Sequence, residues 1–270
     1  MTAIDNYQKC GLIAVMRHVF AALAFLLALS PPAAAMVGGA PVADAQTARH
    51  VVFIVGSRGT ACTGTAIAHD LVLTAAHCAL PDSTYKLIEF DSARRPIPRD
   101  IDVVARHLDF DINAFNRHRA TADVALMKLA QPLSASLVPA LLAAPKKPAA
   151  VGDNFLVAGF GATVRGDGRT VGTLRAATLV TTGQPGTLQI RLFDAQTRGA
   201  RAGLGACTGD SGGPAFETSG GRLAVIGVIS WTTGPDLSEG CGGLTGITPL
   251  VRYKNWILEQ AQRMGSPLAP

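Results

Sequence analysis

The sequence predicts an all-β protein that ends in one helix. Three observations carry this. Short runs rich in β-branched residues recur along the chain, and Gly-, Pro- and Asp-rich turns separate them. Helical periodicity is scarce between them. The one convincing 3.6-residue repeat stands near the C-terminus. Strands at this spacing suit antiparallel barrels or sandwiches.

Residues 50–55, His-Val-Val-Phe-Ile-Val, form the first run. Residues 65–68 and Leu71–Thr74, broken by His69-Asp70, read as a hairpin. Further strands are expected at Tyr85–Phe90, 101–107, 124–129, Asn154–Gly159, 173–180, 188–192 and 223–230. The Pro- and Lys-rich stretch 141–148 reads as a linker between two halves, about 50–140 and 149–248. Tyr253, Trp256, Ile257, Ala261 and Met264 share one helical face, which predicts a helix over about 250–264. A chain of 270 residues can bury a core without help.

Residues 1–35 stand outside this pattern. An apolar run from Val19 to Leu29 follows Arg17-His18, and Ala33-Ala34-Ala35 closes it. That is the layout of a signal peptide, with Met16 as the expected start. The run is short for a membrane span and lacks a Lys- or Arg-flanked stop signal, so no stable anchor is expected after cleavage; an uncleaved N-terminal anchor is the runner-up. Setting Cys10 aside, four cysteines remain: Cys62, Cys78, Cys207 and Cys241. An even set in an exported chain suggests two bridges, and sequence alone allows three connectivities. There is no Cys-x-x-Cys pair, so no metal or other cofactor is expected. The net charge is +5, but the basic residues are scattered and lack interleaved aromatics. A solvated surface follows, with no nucleic-acid partner.

Three stretches carry chemistry. Cys207-Thr-Gly-Asp-Ser-Gly-Gly-Pro214 holds Ser211 in a run too Gly-rich for helix or strand. Its glycines allow backbone amides to approach a reacting carbonyl. Leu73-Thr-Ala-Ala-His77-Cys78 places an imidazole at the end of an apolar run. Asp123 opens the apolar strand Val-Ala-Leu-Met-Lys128-Leu. A serine nucleophile needs a base, and the base needs an acid to hold its tautomer. Singly, each stretch has a plainer reading: a surface turn, a core histidine, a strand-entry carboxylate. Gly209-Asp-Ser-Gly-Gly213 also fits a G-x-S-x-G elbow, but that requires a later histidine, and none follows His118.

With His77, Asp123 and Ser211 in this order, the chain resembles a chymotrypsin/trypsin-family serine protease of the exported, bacterial type. The likeness runs from Met36-Val-Gly-Gly39 to the segment around Trp256. It implies two antiparallel six-stranded β-barrels with a C-terminal α-helix, and a site between the barrels. It implies a serine endopeptidase acting on proteins or peptides through an acyl-enzyme, as a secreted or periplasmic monomer. A non-catalytic homologue serving as a binding module is the alternative, though all three members of the set are present.

The resemblance also assigns further residues. It pairs Cys62 with Cys78 and Cys207 with Cys241. The amides of Gly209 and Ser211 would form the oxyanion hole. Asp210 would pair with a free amine at Met36, where the family more often has Ile, so that signal removal would itself activate the enzyme. Ser230 would support Asp123, and the stretch through Trp231 would pair with substrate backbone. Gly205, six residues before Ser211, would be an uncharged pocket floor, Gly246 a wall, and Thr232 an entrance narrowed where Gly is usual. Cleavage after uncharged, mainly apolar residues is therefore expected. Asp236 or Glu239, in the long 233–240 segment, could reach the pocket rim.

Overall fold

A computed structural model of the chain describes residues 36–117, 119–145 and 147–269. The expected signal peptide lies outside the described residues. Six strands form the first barrel: β1 (Val51–Gly56), β2 (Ala61–Ala68), β3 (Leu71–Thr74), β4 (Tyr85–Phe90), β5 (Pro96–Arg106) and β6 (Ala125–Leu129). They close in the order β1-β2-β3-β6-β5-β4. β7 (Leu141–Leu142) follows, then β8 (Asn154–Gly159), β9 (Arg175–Thr182), β10 (Ile190–Phe193), β11 (Pro214–Ser219), β12 (Arg222–Thr232) and β13 (Leu244–Pro249). The last six form the second barrel in the order β11-β8-β9-β10-β13-β12, closed by β11 on β12.

Period-two alternation explains the packing. On β1, Val52 and Ile54 face the first barrel's interior with Leu87, Val72 and Met127. Val51 and Phe53 face the other way, toward Phe160, Phe216 and Val228 of the second half. A strand with both faces buried reads as a continuous apolar run, as residues 51–55 do. The second barrel has its own interior, built from Phe155, Val157, Leu179, Leu192, Ile229 and Ile247.

Several elements differ from the sequence reading. β5 begins at Pro96, not Ile101. Pro96 and Pro98 face only β4, and β6 joins from Ile101 onward, so the missing amides break no ladder. β11 and β13 were not expected: Glu217, Thr218 and Ser219 make the second half of β11 polar, and Thr, Gly and Pro fill four of the six positions of β13. Two residues of the expected linker form β7, which lies parallel to β12 at Ala224 and Val225. Two short helices also appear, α1 (Ala45–Ala48) and α2 (Ile112–Asn116), N-capped by Asp44 and Asp111.

The C-terminal helix, α3 (Lys254–Arg263), buries Ile257 and Ala261. It follows the second barrel yet packs on the first, with Tyr253, Ile257 and Ala261 against Leu71, Val124 and Leu126. His107 sits with its ring against Tyr253 and Trp256. Past the helix, Ser266 donates to Asp70, and Lys128 donates to both. Among the described residues no helix is long and apolar enough to cross a membrane.

Candidate active site

Strand register brings His77 and Asp123 together. β3 and β6 pair antiparallel, with Thr74 opposite Ala125. His77 lies three residues beyond Thr74, in a single 3-10 turn over Ala76–Cys78. Asp123 lies two residues before Ala125, so the two leave the ladder on the same side. Asp123 is 1 % exposed. One carboxylate oxygen accepts from the His77 backbone amide at 2.9 Å. The other contacts His77 Nδ1 at 2.8 Å and accepts from Ser230 Oγ at 2.5 Å. A carboxylate can only accept, so Nδ1 carries a proton, and the tautomer of the neutral imidazole that fits is the one with its lone pair on Nε2. Ser230 reaches Asp123 from β12, so both halves of the molecule hold the acid. Phe115, on α2, stacks on the imidazole with ring centroids 4.4 Å apart.

The Ser211 loop approaches from the second half. Thr63 N donates to the Ser211 carbonyl at 2.8 Å. Cys78 Sγ lies 3.6 Å from that carbonyl and 3.7 Å from His77 Nε2. Ser211 Oγ has no hydrogen-bond partner among the described residues, and such contacts in unliganded sites are often long. The loop is pinned group by group. Thr208 O accepts from Ala162 N, Gly209 O from Thr63 Oγ1, and Gly212 N donates to Ile229 O. Gly209 has φ +98°, a region closed to most side chains, and a Cβ there would lie 2.9 Å from Gly161 Cα.

Asp210 is fully buried. Its carboxyl accepts from Gly161 N and Cys207 N, each at 2.8 Å. Burial nevertheless dominates and pushes its pKa up to about 7. A cation beside it would reverse that. Met36 is also fully buried, within the second barrel's interior, and Val37 bridges to Gly205.

Thr232 Oγ1 donates to Ala206 O at 2.8 Å and lies 3.1 Å from Leu244 O. Thr245 Oγ1 accepts from Ala206 N at 3.0 Å. A Cβ on Gly205 would come within 3.1 Å of Gly242 Cα and 3.5 Å of Thr245 Oγ1. Gly246 lies under the Trp231 indole, which fills the space a side chain there would need. Glu239 is paired with Arg165 at the surface, and the Asp236 amide donates to Gly199 O.

Sequence reasoning missed Thr63, Phe115 and Thr245. Each acts through a contact distant in the chain, and threonine in an alternating strand reads as β-propensity alone. The structure joins Cys62 to Cys78 and Cys207 to Cys241. Cys62, Cys78 and His77 cluster closely enough to suggest metal ligands, but both sulfurs are spent in a disulfide and offer no thiolate.

Comparison with known proteins agrees with this geometry. The family model for trypsin matches residues 36–257. The chain is similar to an alpha-fibrinogenase-like protein of Daboia siamensis, 26 % identical over 82 % of this chain and 85 % of that one. It is likewise similar to the snake venom serine protease rhinocerase 4 of Bitis rhinoceros, 27 % identical over 82 % and 86 %. Vitamin K-dependent protein C of Rattus norvegicus is 28 % identical over 82 % of this chain and 50 % of its own length. A hydrogen-bonded Asp123–His77 pair, a Gly-rich serine loop beside it and two six-stranded barrels thus meet in one chain, which belongs to the trypsin family of serine proteases.

Proposed function

We propose that the chain is an exported serine endopeptidase whose triad is His77, Asp123 and Ser211. The observation that carries this is the hydrogen-bonded series Ser230–Asp123–His77, ending on an Nε2 lone pair beside the Ser211 loop. Ser211 Oγ attacks the scissile carbonyl carbon while His77 Nε2 takes its proton. The oxygen that gains charge is met by the amides of Gly209 and Ser211. The C–N bond then breaks, and His77 gives the proton to the leaving amine. Water, deprotonated in turn by His77, attacks the acyl carbon; the ester C–O bond breaks, His77 returns the proton to Ser211 Oγ, and the acid product leaves. Asp123 stays ionised throughout and supports the imidazolium. No metal or cofactor is required by these steps.

Residues 1–35 are the export signal in this reading, and 36–270 the peptidase, acting outside the cytoplasm as a monomer. Its removal frees an amine at Met36, and that ammonium pairs with the buried Asp210. The pocket beside Gly205 takes small, uncharged side chains, because Thr232 and Thr245 narrow it and Gly205 brings no charge to its floor. A buried cationic side chain there would stay unpaired.

One phosphonyl group per chain should attach to Ser211 Oγ when a phosphonyl fluoride is added and fluoride leaves. Ser211→Ala should abolish this and lower kcat about 10⁴–10⁶-fold. Peptide hydrolysis by Ser211→Ala at the wild-type rate would overturn the assignment. Chromogenic peptides varied only before the scissile bond test the pocket. A kcat/KM tenfold higher for Arg than for Ala, about 1.4 kcal/mol, would refute it.

A further inference from the structure

Thr63 sits in β2, beside the Cys62–Cys78 disulfide, and is fully buried. All its polar groups are engaged. Its amide donates to Ser211 O at 2.8 Å. Its hydroxyl donates to Gly209 O at 2.8 Å and accepts from Phe160 N at 3.0 Å. Its carbonyl accepts from Thr74 Oγ1 at 2.9 Å. One residue of the first barrel thus grips the two residues whose amides face the reacting oxygen.

Two peptide planes meet at Gly209, and its N–H lies in the first of them. The first joins Thr208 to Gly209. Its carbonyl accepts from Ala162 N at 2.8 Å, and in a planar trans peptide the N–H then points the opposite way. The second plane joins Gly209 to Asp210, and its carbonyl is held by Thr63 Oγ1. Between them Gly209 is a weak pivot, because glycine rotates at little steric cost. Fixing both planes removes that freedom. We propose that Thr63 is a positioning residue for the oxyanion hole: its hydroxyl anchors the Gly209–Asp210 peptide and so fixes the Gly209 Cα on which the Thr208–Gly209 plane, and its N–H, is hinged. This rests on the serine-protease reading above. Thr63 does not touch substrate; it acts through Gly209.

A merely structural role is separable. The Thr63 methyl packs near Gly213, where a Cβ would come within 3.1 Å of Thr63 Cγ2. Thr63→Val keeps that methyl and the amide but removes the hydroxyl. Thr63→Ser keeps the hydroxyl and removes the methyl. Both are compared with the wild-type mature chain, each corrected for its titre of phosphonylatable serine. Thr63→Val should lower kcat about 10–100-fold with KM changed less than about threefold. Its affinity for a peptide aldehyde, which forms an oxyanion on Ser211, should fall by the same factor. Thr63→Ser should stay within about threefold of wild type. Should Thr63→Val not fold, Thr63→Ala carries the same test with Thr63→Ser as its control.

Three results would overturn the inference alone: an unchanged kcat in Thr63→Val, equal damage in Thr63→Ser, or a loss confined to KM or to the titre. A wild-type chain that neither labels nor hydrolyses peptides would overturn both this inference and the protease reading.

Discussion

The first barrel holds His77 and Asp123 at the ends of two paired strands, and a single ladder register sets their separation. The second half holds Ser211 on a loop between β10 and β11, where no ladder reaches. There each peptide group is tied by its own bond, to Thr63, Ala162, Ile229 or Cys207. The first arrangement inherits its precision from regular structure. The second assembles it from separate contacts and two positive-φ glycines, Gly209 and Gly212. Substitutions should therefore act differently in the two regions. In the first they change the chemistry of a well-held group. In the second they change the aim of groups that remain chemically intact.

The sharpest break lies in the first barrel. Asp123→Asn leaves the ladder but offers an amide to His77 Nδ1, which favours the wrong tautomer. A loss of about 10⁴-fold in kcat is expected, with little change in thermal stability. A melting temperature that drops along with activity would mean the register itself depends on Asp123. In the second half, Gly209→Ala should cost both. It places a side chain at φ +98° and against Gly161. About 10²–10³-fold in kcat is expected from a displaced oxyanion donor, with about 1–3 kcal/mol of strain. Thermal melting and steady-state kinetics on one sample would separate the two losses.

The pH dependence sharpens the contrast further. Burial raises the Asp210 pKa in the folded chain from its ordinary 3.8 to about 7. With the leader uncleaved, no ammonium is near, and the folded state holds a proton that the unfolded state has lost. Stability is then full at low pH and falls as pH rises from about 4 to about 7. A chain starting at Met36 should lack that loss. Its ammonium, paired with Asp210, keeps a raised pKa, and its stability falls only at alkaline pH as that amine deprotonates. Melting curves of the two forms across pH should diverge. Parallel curves would dismiss the pairing.

Smaller effects come from the disulfides and from Phe115. Replacing Cys207 and Cys241 by Ser opens a 34-residue loop, against 16 for Cys62 and Cys78. Each pair should cost about 2–4 kcal/mol by denaturant unfolding, with the longer loop costing slightly more. Phe115→Ala removes the ring stacked on His77. A two- to tenfold loss in kcat/KM is expected, matching about 0.5–1.5 kcal/mol for such a contact. An unchanged value would leave Phe115 as loop packing.

Legibility followed the same divide. His77, Asp123 and Ser211 stand in short motifs whose residue types are tied to their chemistry, so the chain announces them. The strand at 50–55 announces itself by its continuous run of β-branched and aromatic residues. β13 does not, because Thr, Gly and Pro interrupt its two apolar residues, Leu244 and Ile247, and its burial comes from neighbours on β10 and β12. Thr63 is invisible for a related reason. Its hydroxyl partner, Gly209, is 146 residues away, and nothing local distinguishes it from other strand threonines. The space around Gly246 could be judged only once the Trp231 indole had been placed over it.

The clasp at Ser266 has a consequence in time. Lys128 belongs to the first barrel, yet one of its two partners lies 138 residues further along. α3, which covers Leu71, Val124 and Leu126, likewise follows every strand of both barrels in the chain. A nascent chain that has completed the first barrel still lacks its outer cover, and Val124 adjoins the acid that orients His77. The outer cover of the first barrel therefore waits for a segment made after the second barrel. A chain truncated before residue 250 should show no phosphonyl labelling even though every triad residue is present.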